Sequence, residues 1–214
     1  MTHRSLFSLT TLITPIVISG VLLSGCTTVM METGKKAFED RTTEDQVTDT
    51  KIGAGVLSRL ADRDKGLLLD VNVDIWEQRA LLTGTLDDPK EKQAVADLVK
   101  SDSRVKTIYN DIQIVTKEEK EARRKKAQEG QKESKEGIGQ TVDDIWINTK
   151  IEAQLIGTKG VTSVNYRWRS VNNQVSIIGR ANSSEELATV LDVIKATKGV
   201  ESVKNYIEIK PVHP

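Results

Sequence analysis

The stretch ALLTG at residues 80–84 recurs as VSIIG at residues 175–179, and this internal repeat is the main indication of how the chain folds. At the same spacing of 95 residues, VKTIYNDI at 105–112 matches VESVKNYI at 200–207. Self-similarity on this scale indicates two copies of one small module. A chain of about 70 residues buries only roughly 60% of its unfolded surface, so we expect each copy to depend on the other for stability.

A third match has a different spacing. The triplet TKI at residues 50–52 recurs at 149–151, which is 99 residues later. The unequal spacings predict a difference of four residues in the loop between the first helix and the first strand of the two copies. On that alignment Trp146 of the second copy corresponds to Val47 of the first.

Each copy is predicted to run helix, strand, strand, helix, strand. Apolar residues three and four apart indicate the helices, whereas strict alternation indicates half-buried strands. Asp88 followed by Pro89, and Ser183 followed three residues later by Glu186, are typical of helix starts. Gly84 is expected to end the second strand. The predicted elements are a helix over 44–60, strands over 69–75 and 79–83, a helix from Pro89 and a strand over 105–115, then a helix over 142–156, strands around 164–168 and 175–177, a helix after Ser183 and a strand over 200–209.

The N-terminal segment has the layout of a secretory signal. Arg4 precedes an apolar run over 6–23, and no acidic residue occurs before Glu32. The run ends in LSGC at 23–26, which resembles the lipobox of bacterial lipoprotein signal peptides. The resemblance implies cleavage before Cys26 and covalent attachment of lipid to that cysteine.

An uncleaved transmembrane helix is the alternative, since the apolar run is just long enough to span a bilayer. A membrane anchor needs no cysteine after its small residues, and this favours the lipobox. Thr27 stands where an aspartate would redirect such a lipoprotein, so the same resemblance implies sorting to the outer membrane, facing the periplasm. Acyl chains that bury about 0.8 kcal/mol per methylene make the anchor close to permanent.

Composition argues against most enzymatic chemistry. His3 lies in the signal segment, His213 is second from the C-terminus and Cys26 is the lipid acceptor, so Cys/His metal clusters and His-based catalysis are not expected. The 31 basic and 31 acidic side chains balance, which gives no reason to expect nucleic acid. The chain is therefore predicted to be non-enzymatic, with no catalytic residue, no metal and no cofactor beyond the lipid. The carboxylates that a hydrolase would need, all on predicted strand faces or at a helix cap, are Asp70, Asp74, Asp87 and Asp88.

The duplicated module resembles the BON-domain family over nearly all of the chain after residue 26. The stretch D-x-W-I-x-T-K at 144–150 is similar to the opening of a second BON module. The resemblance implies an α+β fold of two tandem αββαβ BON modules, each a three-stranded mixed sheet with two helices on one face. The expected divisions are a signal peptide at 1–25, a lipidated N-terminus and spacer at 26–42, the first module at 43–115, a charged connector at 116–140 and the second module at 141–210.

The connector departs from the family pattern. It carries eight basic and six acidic residues. Glu119 with Arg123, and Glu121 with Lys125, are pairs four residues apart that favour a helix. The glycines from Gly130 onward favour a coil, and both conformations stay open.

One helix of the second copy offers a candidate binding site. Its apolar face is centred on Ile151, so Trp146 is expected to point outward, with Ile145 on the flank and Lys150 one turn further along. Tryptophan is favoured at membrane interfaces because its ring is apolar and its N–H is polar. A lysine beside it is suited to a lipid phosphate. The predicted lipid-binding residues are therefore Trp146, Ile145 and Lys150.

Two functional hypotheses follow, from different classes. Similarity to the family implies a lipid-anchored envelope protein that binds anionic phospholipid through this helix and supports outer-membrane integrity. The alternative is a protein-interaction adaptor for an outer-membrane assembly protein or a cell-wall partner, in which Trp146 would be a hot spot for protein contact. The acidic first module and the charged connector motivate the adaptor.

Overall fold

Each copy of the repeat folds into a sheet with its two long helices on one face. The computed structural model describes residues 39–130 and 142–211. The first module contains α1 (Thr43–Arg63), the short helix α2 (Leu67–Asp70), β1 (Val71–Trp76), β2 (Arg79–Leu86), α3 (Pro89–Lys100), β3 (Thr107–Asn110) and β4 (Gln113–Ile114). Helix α4 (Lys117–Gly130) follows it. The second module contains α5 (Val142–Gly157), a 3-10 turn (Ser163–Asn165), β5 (Tyr166–Val171), β6 (Gln174–Ala181), α6 (Ser184–Ala196) and β7 (Ser202–Ile209).

Both sheets are mixed. Strand β1 is antiparallel to β2, which runs parallel to β3 and β4. In the second module β5 is antiparallel to β6, which runs parallel to β7. The middle strand of each sheet is therefore the second of its module. The predicted α+β fold of two tandem αββαβ modules is confirmed.

The buried positions of the first helices correct the spacing of the repeat. In α1 the buried apolar residues are Ile52, Val56 and Leu60, and those of α5 are Ile147, Ile151 and Leu155, each 95 residues later. The predicted four-residue difference between the two loops is therefore wrong. A shift of four residues is about one helical turn, so it leaves the apolar face almost unchanged and the TKI match could not reveal the error.

The corrected spacing also corrects the predicted counterpart of Trp146. That residue corresponds to Lys51, and Ile145 corresponds to Thr50, instead of Val47 and Gln46. The indole therefore occupies a position where the first module has a cation.

A carboxylate on each first helix fixes the following hairpin turn. Asp49 accepts hydrogen bonds from the backbone N–H groups of Glu77 and Gln78, at 2.7 and 2.8 Å. Both turn residues have positive φ, as a two-residue type I′ hairpin requires. Asp144 does the same for residues 172–173, at 3.2 Å each. These long-range contacts of Asp49 and Asp144 hold each first helix against its hairpin, and the periodicity of the sequence does not predict them.

Two strands begin later than predicted. Leu69 lies in α2 and is 37% exposed, and β1 begins only at Val71. Val164 likewise lies in the 3-10 turn, before β5 begins at Tyr166. The alternation of apolar residues runs on through these turns, so the periodicity alone placed the strand starts too early.

The last strand of the first module is interrupted, although one strand over 105–115 was predicted. Asp111 and Ile112 separate β3 from β4, and the N–H of Asp111 still donates to the carbonyl of Leu82 at 2.8 Å. The interruption leaves Ile112 buried in its own module. The corresponding strand β7 is continuous.

Two glycines sit inside the middle strands, and the prediction that Gly84 ends its strand is wrong. A Cβ on Gly84 would lie 1.9 Å from the carbonyl oxygen of Asp70, and one on Gly179 would lie 2.2 Å from that of Asn165. Gly84 also has φ of +126°, which disfavours any side chain. The absence of a side chain lets the turn before the first strand cross close to the middle strand.

The two sheets pack on each other through the faces that carry no helices. Leu81 and Ile178 alternate with residues of the two helix-covered cores and are fully buried together with Trp76. Tyr109 and Tyr206 pack against this cluster, with their ring centroids 4.0 Å apart and their planes at 16°. The molecule is therefore layered as helices, sheet, sheet, helices.

Asp111 is a polar centre of this interface. Its carboxylate accepts hydrogen bonds from Ser176 Oγ at 2.6 Å, and from Lys204 Nζ and Tyr206 Oη at 2.9 Å each. Burial, together with the hydrogen bond to this carboxylate, raises the pKa of Tyr206 to about 12. The break between β3 and β4 thus places one carboxylate of the first module against three side chains of the second.

The modules are related by an approximate two-fold axis. Asp74 pairs with Arg169 at 3.0 Å, and Asp111 bonds Tyr206, and in each case the two partners occupy equivalent positions of the repeat. Contacts between equivalent positions are the mark of an isologous interface. The duplicated chain therefore packs as a dimer of its own modules would.

Replacing Gly84 by alanine tests the close crossing. We expect Gly84→Ala to lower the free energy of unfolding by about 3 kcal/mol or more, because its Cβ meets backbone. Gly157→Ala is the control, since nothing lies within 4 Å of its Cβ, and its effect should stay within about 1 kcal/mol. Urea denaturation of both variants measures the difference, and equal stabilities would contradict the steric account.

Alkaline pH tests the interface at Tyr206. Its pKa is higher in the folded protein than the usual value of about 10, so its contribution to stability is complete below pH 10 and is lost as the pH rises towards 12. The free energy of unfolding should therefore fall less steeply with pH over this interval in Tyr206→Phe than in the wild type. Denaturation curves of both proteins between pH 10 and 12 measure this difference, and tyrosinate absorbance follows the ionisation of tyrosine. Parallel curves would exclude the raised pKa.

Candidate lipid-binding site

Helix α5 presents Trp146 to solvent. Its inner face is buried against the second sheet, and Asp144 and Asn148 fasten its first turns to Ser170 through hydrogen bonds of 2.7 and 3.0 Å. The indole lies outside this packing and is 42% exposed. These hydrogen bonds hold the part of the helix that carries the ring against the second sheet.

Lys150 lies beside the ring. Its Nζ is 5.6 Å from the ring centroid of Trp146, within the range of a cation–π contact. The side chain of Lys150 is exposed, so the ammonium group is also open to a phosphate. One aromatic ring and one cation thus lie together on the outer face of α5.

Ile145 and Ile156 are two further isoleucines of this helix that are not fully buried. Ile145 is only half-buried, on the flank, where its carbonyl accepts a hydrogen bond from Thr149 Oγ1 at 2.9 Å. Ile156 is 65% exposed, and it is not among the predicted lipid-binding residues. Ten residues at 100° each place it about 80° from Trp146, so helical periodicity could have found it.

The connector helix α4 is fastened to the first module. Arg124 pairs with Asp70 at 2.6 Å, and this contact raises the pKa of the guanidinium. Lys120 pairs with Asp87, whose pKa is lowered by the hydrogen bond. The described part of the connector is therefore a helix that lies on the first module.

The same helix also contacts the second module, through Arg123. Arg123, predicted to pair with Glu119, instead donates to Asp144 at 3.1 Å and to Asn172. Asp144 is fully buried at the start of α5. The connector thus touches the helix that carries Trp146.

An N-terminal arm of Glu39, Asp40 and Arg41 binds both modules. The guanidinium of Arg41 lies 4.0 Å from the ring centroid of Trp76 in the first module and pairs with Glu39. The N–H of Asp40 donates to Asn165 in the second module at 2.9 Å. The chain therefore enters the fold where the two modules meet.

The carboxylates considered for a hydrolase have structural partners. Asp88 caps α3 through the N–H of Lys90, and the other three form ion pairs. In residues 39–130 and 142–211, no group of three His, Cys, Asp or Glu side chains could hold a metal ion. The three paired carboxylates are Asp70, Asp74 and Asp87.

Some predictions concern other parts of the chain. None of the helices described above is both long and apolar enough to cross a membrane. Cys26, the apolar run over 6–23 and the segment 131–141 lie outside the described residues.

The family model for the BON domain matches residues 48–116 and 143–211. Both ends of the two matches are 95 residues apart, like the buried positions of α1 and α5. A protein of Anaplasma centrale, named "Uncharacterized protein in gshII 5'region", is 30% identical over 145 residues, which cover 68% of this chain and 85% of that protein.

Solved structures of CdsD, a structural protein of the type III secretion system of Chlamydia trachomatis, are more distant. One is 12% identical, covers 74% of this chain and 91% of its own, and has a TM-score of 0.30. The C-terminal domain of the same protein is also 12% identical, covers 80% of this chain and 100% of its own, and has a TM-score of 0.31. These scores are too low to support a conclusion about fold or function.

BON domains occur in phospholipid-binding or envelope-associated proteins, and the family is generally non-catalytic. The matched residues make up more than half of the sequence, and they coincide with the two sheets and their helices. The chain belongs to the BON-domain family.

Proposed function

We propose that this chain is a lipid-anchored, non-enzymatic envelope protein whose second module binds anionic phospholipid through Trp146, Ile145 and Lys150. In this proposal lipid on Cys26 holds the protein at the outer membrane, facing the periplasm, where it supports membrane integrity. The observation that carries the proposal is the exposed indole of Trp146 with the ammonium group of Lys150 beside it.

The contact is weak by itself. Burying the exposed part of the indole, on the order of 100 Å², is worth about 2–3 kcal/mol. A lysine near an anionic surface adds about 1 kcal/mol. A lipid anchor changes the effect of such a contact, because it keeps the module at high effective concentration near the bilayer.

The chain length between anchor and fold suits this arrangement. Twelve residues separate Cys26 from Glu39, where the described arm begins. As a flexible coil they would span about 20 Å. The second module therefore stays within reach of the bilayer that holds the anchor.

Charge also favours the second module as the membrane-facing one. Residues 43–115 contain 10 basic and 14 acidic side chains, whereas residues 141–214 contain 9 and 8. An anionic bilayer repels the first group and not the second.

The adaptor remains the second candidate. It is favoured by Val47 and Leu57 on α1, which are 47% and 45% exposed in the acidic module. Several acidic groups that motivated it are engaged inside the molecule, since Asp70 binds the connector and Asp74 binds the second module. Their charges are therefore less available to a partner.

Replacing Trp146 by glutamate tests the proposal. Binding of the chain without its acyl chains, residues 27–214, to vesicles of phosphatidylglycerol and phosphatidylcholine should weaken at least about tenfold in Trp146→Glu, because the apolar contact is lost and a repulsive charge is added. Sedimentation with the vesicles measures the affinity.

Leu57→Glu is the matched control, because it places the same charge on an equally exposed apolar position of the first module. It should leave vesicle binding within about twofold of the wild type, since that helix lies on the other side of the layered molecule. Equal binding by wild type and Trp146→Glu would refute the named site. Affinity for an envelope protein with none for vesicles would select the adaptor.

A further inference from the structure

The loop after α6 lies against the helix that carries Trp146. Thr197 Oγ1 donates to Gln154 Oε1 at 2.6 Å. Two residues on, a Cβ added to Gly199 would lie 3.2 Å from Ile147 Cδ1. The loop thus follows α5 over about two turns, and Lys198 is exposed between the two contacts.

The loop contacts α5 on the flank between its buried face, at Ile147, and the outer side that carries the candidate site. Trp146, Lys150 and Gln154 are successive residues four apart, so they form one stripe along the helix. The loop touches this stripe at Gln154, and Lys150 is the next residue of the stripe towards the indole. Lys198 therefore borders the same outer surface as Lys150.

At the equivalent positions of the first module, the charges neutralise one another. Arg59 corresponds to Gln154, and Asp102 corresponds to Thr197. The side chain of Asp102 is 5% exposed and pairs with Arg59 at 3.2 Å and with Arg104 at 2.7 Å. Hydrogen bonding by Arg104 holds the pKa of Asp102 well below its usual range, so the carboxylate stays ionised. Arg59 and Arg104 therefore already have an anionic partner in Asp102.

The second module has lost the carboxylate and gained an exposed cation. Thr197 replaces the buried acid with a neutral hydroxyl, and Lys198 stands where the first module has Ser103. The next acidic residue of the loop, Glu201, accepts a hydrogen bond from Asn173 at the hairpin turn. This part of the second module thus has two exposed lysines, Lys150 and Lys198, and a neutral hydrogen bond between Thr197 and Gln154.

We propose that Lys198 is a second headgroup-binding residue, which together with Lys150 holds the phosphates of anionic phospholipids while Trp146 enters the bilayer interface. The proposal rests on the proposed function and extends its site from one helix to the loop beside it. Charge complementarity identifies the ligand as an anionic lipid surface, since both side chains are exposed cations, one beside the exposed indole and the other on the loop that contacts the same helix. The loop residue adds a contact on one side of the ring and so fixes the rotation of the module on the bilayer.

Vesicle binding by charge variants of residues 27–214, again without acyl chains, tests the proposal. With vesicles of phosphatidylglycerol and phosphatidylcholine, Lys198→Gln should weaken binding about fivefold, the usual effect of one cation at an anionic surface, and Lys198→Glu should weaken it further. With phosphatidylcholine alone, both variants should match the wild type. The affinity of Lys198→Gln should also depend less steeply on salt.

Lys100→Glu is the matched control, because this exposed lysine ends α3 of the first module and lies outside the proposed surface. It should stay within about twofold of the wild type. Thermal unfolding of each variant verifies that the fold is retained. Equal weakening by Lys198→Glu and Lys100→Glu would show a general charge effect and overturn the proposal.

The outcomes also separate the two proposals. If Trp146→Glu loses binding and both Lys198 variants bind as the wild type does, the loop site is wrong and the helix site stands. If the wild type does not bind anionic vesicles, both are wrong.

Discussion

A sheet with helices on one face leaves its other face to be covered, and in this protein each module covers the other. Leu81 and Ile178 are fully buried in this contact together with Trp76, although none of the three belongs to a helix-covered core. The packing places the helices of the two modules on opposite outer sides of a layered molecule. Only one helix layer can then face a flat surface at a time, and the exposed tryptophan lies in the layer of the second module.

The sequence was sufficient for the presence of two modules, the order of their elements and the buried stripe of each first helix. These features rest on local periodicity and on repetition, both of which are visible without coordinates. It was insufficient for the alignment of α1 with α5, because a shift of one turn preserves the same stripe. The contacts of Asp111 and Arg123 could not be predicted either, since each partner lies more than 20 residues away, in the second module.

The candidate site was likewise predicted from the sequence only in part. Helical periodicity correctly predicted that Trp146 points outward, and the structure places Lys150 beside it. The sequence did not predict that the loop at Thr197 lies against α5, because this placement depends on a tertiary contact. Comparison of equivalent positions becomes informative only with the corrected spacing, which sets Gln154 opposite Arg59 and Thr197 opposite Asp102. Duplication has thus kept one core and given the two outer surfaces different chemistry.

The arm at Glu39–Arg41 has a mechanical consequence. Arg41 is seated on Trp76 of one module, and Asp40 is bonded to Asn165 of the other. A pulling force applied to the chain upstream of this arm would be shared by both halves of the molecule and would act first on their seam. Tension on that upstream segment would therefore strain the junction between the modules before it could unfold either one.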